Sequence, residues 1–151
     1  MMLHQDRYSQ TLFYTIFTDS GKNISITALH LLPIVRHDGT YVYVPAKEVK
    51  VGDTLHVLSN GQLTSSSVVQ VKQEMKTGFY APLTTAGTLL ANDVITSCYS
   101  NVKSHEMAHF YMAPLRWFNS LAQWLSISEP FGNQNIDGIH IIPHIMYEFA
   151  R

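Results

Sequence analysis

Three groups of residues have the types and spacing to do chemistry. His105-Glu106-Met107-Ala108-His109 matches H-E-x-x-H, which on a helix sets two imidazoles on one face to hold zinc, with the glutamate beside them as general base. Pro114 follows five residues after His109, and no further histidine extends the motif. The alternative is a short helix with two polar imidazoles near its first turns. Thr27-Ala28-Leu29-His30 is quieter: a hydroxyl and an imidazole three residues apart at a strand end can converge on one carbonyl or amine. Its alternative is a hydrogen-bonded histidine beside a strand-end threonine. Asp6-Arg7 reads as a solvated turn residue whose neighbouring arginine could pair with it at the surface. His140 and His144 repeat the i, i+4 spacing, but Pro143 between them argues for a docking segment over a metal pair.

The elements that must position these groups are short strands. Leu12–Phe17, Asn23–Thr27, Tyr41–Val44, Thr54–Leu58, Ser67–Val71 and Thr88–Ala91 are rich in β-branched and aromatic residues, and turn-forming residues separate them. Asn60-Gly61 is the strongest hairpin signal. Many short strands without intervening helices predict a compact all-β module. Beyond Cys98 the period changes. Tyr111, Leu115, Phe118, Ala122 and Leu125 fall on one helical face. Pro114 divides the region into a helix from about His105 and a second from Pro114 to Leu125. Ser126–Asp137 reads as a loop, and Gly138–Phe149 as a helix or an extended docking piece.

Composition narrows the function. The 151 residues are 46% hydrophobic and only 14% charged, with a net charge of −1. No basic excess exists to grip a phosphate backbone, so nucleic acid is not an expected partner. Cys98 is the single cysteine, which excludes an internal disulfide framework. The apolar runs fall short of the roughly 18 residues a membrane span needs, and the opening residues do not read as a signal peptide.

The run Thr77-Gly78-Phe79-Tyr80-Ala81-Pro82-Leu83-Thr84-Thr85-Ala86-Gly87-Thr88, then Val94-Ile95-Thr96-Ser97-Cys98-Tyr99, resembles the autoprocessing domain of Hedgehog proteins. It matches that family's G-x-x-A-P-L-T-x-x-G-T and V-x-A-S-C-Y/F with only Thr96 departing. Ser104–Arg116 resembles S-x-x-x-A-H-x-x-x-A-P-x-R, and Gly138-Ile139-His140 resembles G-I-H. Upstream, Asp6-Arg7, Phe13-Tyr14 and Ile26–Leu32 fit F-x-D-R, V-F-Y and L-T-x-x-H-L-L, so the likeness is collinear over nearly the whole chain.

The resemblance implies a mostly β fold: a partial Hint module, shared with inteins, over residues 1–102, then a short helical, sterol-recognition-like region over 103–151. In the family an N-terminal cysteine attacks the carbonyl before it, and the hydroxyl of cholesterol resolves the thioester. By carry-over, His30 gives a proton to the leaving amine, Thr27 orients the scissile peptide, and Asp6 acts as base on the sterol hydroxyl. Cys98 falls on an interior position near the active site, able to pair with the nucleophile through sulfur. Phe110, Tyr111, Leu115, Trp117, Phe118 and Trp124, with Leu125, form the expected apolar platform for a sterol or a membrane surface. Ordinary helix packing is the alternative, and burial is expected to claim at least half of them.

No metal or cofactor is implied beyond cholesterol as co-substrate. The partners implied are cholesterol and the N-terminal signalling domain in cis, and the parent protein is expected in the secretory pathway or outside the cell. The family's domain opens with Gly-Cys-Phe, and no cysteine precedes Asp6 here. The sequence therefore reads as a fragment, a truncated gene model or a decayed copy, inactive alone. Loss of the first strands is expected to leave Leu12–Phe17 with unpaired backbone. A zinc hydrolase using His105, Glu106 and His109, and a non-catalytic sterol- or partner-binding remnant, are the rival readings.

Overall fold

Asn60 and Gly61 both take positive φ, 50° and 77°, the conformation a tight primed hairpin requires. That turn joins β5 (Thr54–Ser59) to β6 (Gln62–Pro82) in a computed structural model that describes residues 2–125 and 138–139. β6 is a 21-residue strand, far longer than the Ser67–Val71 segment the sequence marks. Its first part pairs with β5, and its remainder runs antiparallel to β1 (Met2–Thr18). β2 (Asn23–Thr27) pairs with the other edge of β1, Phe13 opposite Thr27. The Leu12–Phe17 stretch is thus covered by β6 along its length and by β2 from Phe13 on, against the expectation of unpaired backbone.

β7 (Thr88–Ala91) and β8 (Val94–Ser97) form a hairpin through Asn92 and Asp93, both at positive φ. The sheet order is β2-β1-β6-β5-β8-β7, with the two-residue β9 (Gly138–Ile139) added beside His4 and Gln5 of β1. β3 (Leu31–Val35) and β4 (Tyr41–Pro45) make a separate two-stranded sheet, and one turn of 3₁₀ helix at 46–48 follows it. Ile16, Ile24, Leu32, Leu55, Val57, Val68 and Val94 interlock as the central core, each almost fully buried. Enclosing one such side chain contributes about 1.5–3 kcal/mol.

Beyond the strands, Ser104 caps α1 (His105–Tyr111) by accepting the Met107 N–H at 3.2 Å, and Pro114 sits in the first turn of α2 (Ala113–Trp124). Leu83, Cys98, Tyr99 and Leu115 form a second core under these helices. The predicted helical face is corrected in part. Leu115 and Ala122 are buried, but Tyr111, Phe118 and Leu125 are exposed. The chain restarts its helix at Pro114, and α2 docks through Leu115, Arg116 and Ala122, turning the other apolar residues outward. Gly138–Ile139 is extended, while the remainder of that segment, His140, His144 and the loop preceding it lie outside the described residues.

Candidate functional site

A cleft of about 300 Å³ opens between the end of β2 and the last part of β6, with Phe13 of the intervening β1 in its lining. Phe13, Ile26, Phe79 and Tyr80 give it apolar walls, and Ser25, Thr27, His30 and Ser100 supply its polar groups. Thr27 ends β2, and the backbone then turns so that the His30 N–H donates to the Thr27 carbonyl at 3.0 Å. Thr27 and His30 both line this cleft.

His30 is held by the last residue of β8. Its Nε2 lies 2.8 Å from the Ser97 carbonyl oxygen. A carbonyl only accepts, so Nε2 carries the proton, and Nδ1 is the ring atom left for a transferable one. Burial holds the ring below the ordinary imidazole value, an effect partly opposed by the bond to Ser97. A histidine poised in this way can take a proton on Nδ1 from one group and pass it to another. The two loops are also fastened through their backbones: Leu31 N–H to the Tyr99 carbonyl at 3.1 Å, and Asn101 N–H to the Leu29 carbonyl at 3.0 Å.

Asp6 stands where β1 bulges away from β6, opposite Phe79 of the cleft wall. Its Oδ1 accepts the N–H groups of Tyr8 and Ser9, and its Oδ2 accepts the Ser9 hydroxyl at 2.6 Å. The carboxylate thus organises its own turn, one strand position from the cleft. Cys98 is buried, its sulfur 3.4 Å from Thr84 Oγ1, on the second-core side of the segment whose Ser97 carbonyl holds His30.

His105 and His109 do share a helical face, their rings parallel at 6.0 Å between centroids. Three of their four nitrogens, however, are committed elsewhere. His105 Nδ1 lies 3.0 Å from Ser97 Oγ, and its ring stacks on Tyr43 at 3.8 Å. Arg116 Nη2 donates to His109 Nε2 at 3.1 Å, which places the His109 proton on Nδ1, facing the Tyr99 hydroxyl at 2.9 Å. Burial, then the neighbouring guanidinium, holds His109 below its ordinary pKa. Burial also pushes the Tyr99 phenol up to about 12. Glu106 accepts from Ser104 at the exposed helix start. A cation on this histidine pair would meet the Arg116 charge, so the donor set does not suit zinc.

Of the expected platform, Phe110, Tyr111, Trp117, Phe118 and Trp124 are exposed, Trp124 at 79%, together with Leu121 and Leu125. Leu115 is the correction, buried in the second core, so burial claims far fewer of these residues than expected. Among the described residues no helix is long and apolar enough to cross a membrane. Sequence reasoning assigned no role to Ser97, Ser100, Tyr99 or Arg116. For Ser97 and Tyr99 the signal was present in the Ser97-Cys98-Tyr99 motif, and for Arg116 in its place after Pro114.

Comparison with known proteins gives this geometry a family. Curated relatives include the protein hedgehog of Drosophila sechellia, 29% identical over 98% of this chain and 35% of its own length. The sonic hedgehog protein of Xenopus laevis is 35% identical over 83% of this chain and 29% of its own. The chain spans about a third of the length of these relatives. Among solved structures, a KlbA intein precursor from Methanococcus jannaschii superposes with a TM-score of 0.55 at 20% identity, over 67% of this chain and 56% of that one. The PabCDC21-1 intein gives 0.53 at 15%, over 62% and 56%. These likenesses agree on the β fold, a model of the Hint module matches residues 1–151, and the chain accordingly belongs to the Hint module family.

Proposed function

We propose that this chain carries the acid-base part of a hedgehog-type self-cleaving site, within a β-module over residues 1–102 and a sterol-recognition region over 103–151. The observation that carries the reading is the fixed tautomer of His30 in a cleft shared with Thr27. In the reaction, a cysteine gives its thiol proton to His30 Nδ1 and adds through sulfur to the carbonyl of the preceding residue. The C–N bond breaks, and the departing amine takes its proton from His30 Nδ1, while Thr27 orients the peptide. An alcohol then displaces the thiolate from the thioester, giving its proton to Asp6. Cholesterol is that alcohol, and the acyl group belongs to an N-terminal signalling domain in cis, in a secreted parent protein. For Asp6 to act, the acceptor hydroxyl replaces the Ser9 hydroxyl at Oδ2.

Cys98, the one cysteine in the sequence, is buried away from the cleft and does not serve as nucleophile. Alone, the chain is therefore silent.

The test is a precursor in which a substrate domain is followed by a Cys-bearing segment from a curated relative and then by this chain. Dithiothreitol should cleave it and cholesterol should modify the released half. Fusion of the substrate domain directly to Met1 should give neither product. His30→Ala should block both reactions, whereas Asp6→Ala should spare cleavage by the small thiol and abolish sterol transfer. Equal loss of both reactions in Asp6→Ala would make Asp6 a turn former only.

A further inference from the structure

The autoprocessing reading uses His30 but leaves the two histidines of the H-E-x-x-H match without a task. Ser97 connects them to the site. This residue is fully buried and has two separate attachments. Its carbonyl holds His30 Nε2 at 2.8 Å. Its hydroxyl oxygen accepts the Tyr99 N–H at 2.9 Å and lies 3.0 Å from His105 Nδ1. A buried hydroxyl proton needs an acceptor, and Nδ1 of His105 is the one in reach, so Ser97 donates to it. His105 is in turn fixed by stacking on Tyr43, with ring planes within 4° of parallel, and by the Tyr99 ring at its edge. His109 and Arg116 grip the far end of that Tyr99 side chain.

Resting on the autoprocessing reading, we propose that His105 is a positioning residue for His30. Its Nδ1 locks the Ser97 hydroxyl, which fixes the 97–99 turn and aims the Ser97 carbonyl at His30 Nε2. The helical region therefore reaches the proton-transfer site through one side chain and one peptide, without touching the cleft. Without the acceptor on His105, the Ser97 hydroxyl swings toward another partner and the turn loosens. His30 is then free to exchange its two tautomers, and Nδ1 is no longer held bare to take up a proton and pass it to the leaving amine.

Two substitutions separate this from simple support. His105→Phe keeps a flat ring on Tyr43 but removes the acceptor, whereas His105→Gln keeps an acceptor and removes the ring. The first readout is the ¹⁵N shifts of the His30 ring in the 151-residue chain at neutral pH. Wild type and His105→Gln should show a single Nε2–H tautomer, and His105→Phe a mixture. The second readout is the dithiothreitol cleavage rate of the Cys-restored precursor, which should fall about tenfold to a hundredfold in His105→Phe and recover in His105→Gln. A wild-type tautomer in His105→Phe would overturn the proposal, as would a mixed tautomer with an unchanged cleavage rate. If the wild-type precursor fails to cleave while His105→Phe still scrambles the His30 tautomer, the coupling stands and the autoprocessing reading is what falls.

Discussion

Arg116 holds His109 through both ends of its guanidinium: Nη1 donates to the His109 carbonyl at 2.5 Å and Nη2 to ring Nε2 at 3.1 Å. The nitrogen that a zinc ion would need is therefore filled by a cation. Adding zinc chloride or a chelator should leave the melting temperature and the cleavage rate of the restored precursor unchanged. A stoichiometric zinc-dependent rise in melting temperature would show that Arg116 swings aside and would revive the hydrolase reading.

Acid should unfold the chain earlier than its sparse charge suggests. Burial holds His30, His105 and His109 below the ordinary imidazole value of 6.5. Between that value and their lower folded values, the unfolded chain binds up to three more protons than the folded one, so stability falls as pH falls. The contribution is fully present above about pH 6.5. Urea midpoints between pH 7.5 and 5 should decline across this window, and a flat profile would mean these rings bind protons as readily in the folded state as in the unfolded one.

Gly87→Ala should cost about 1–3 kcal/mol from backbone strain alone, because its φ is +72°. A methyl group there would also collide with His109 Nδ1 and press on the Tyr99 ring. Thermal melting should register the loss. Loosening of the Tyr99 and His109 contacts should appear in their ring resonances.

The outward face of α2 predicts a split between stability and sterol transfer. Trp117→Ala combined with Trp124→Ala should change folding stability by no more than about 0.5 kcal/mol per site, since both rings are largely exposed. Transfer to cholesterol in the restored precursor should drop steeply, and thiol cleavage should not. Equal effects on both reactions would make this face a structural surface.

Some of this was legible in the residues and some was not, for identifiable reasons. Asn60-Gly61 and the β2 and β7 segments announced themselves because turn chemistry and side-chain branching are local properties. β3 did not, since Pro33 lies in an unalternating apolar run. It is tolerated there because β3 pairs only with β4 among the described strands. The full lengths of β1 and β6 were hidden because each strand is defined by the other, and bulges at 6–10 break the alternation. Thr27 and His30 were noticed for their spacing and gained weight only from the family resemblance. Ser97 was given no role, because its hold on His30 is made by a carbonyl every residue possesses and its hydroxyl contact depends on where His105 docks. The direction of α2 depended on which stripe docks, and two apolar stripes competed for that place.

The long pairing of β1 with β6 also sets an order of events. Its register runs from Thr18 opposite Val68 to Met2 opposite Pro82, so every contact joins residues remote in sequence. The β5–β6 and β7–β8 hairpins close cheaply, but the ribbon must first absorb the entropy of a large loop. Closure is cheapest at the Thr18 end, and the ribbon then zips outward toward Met2. During synthesis the amino-terminal strand has to wait, unpaired along its β6 edge, until the chain has been made past Val68. The Asp6 turn and the cleft wall opposite it are consequently among the last pieces of the β-module to form.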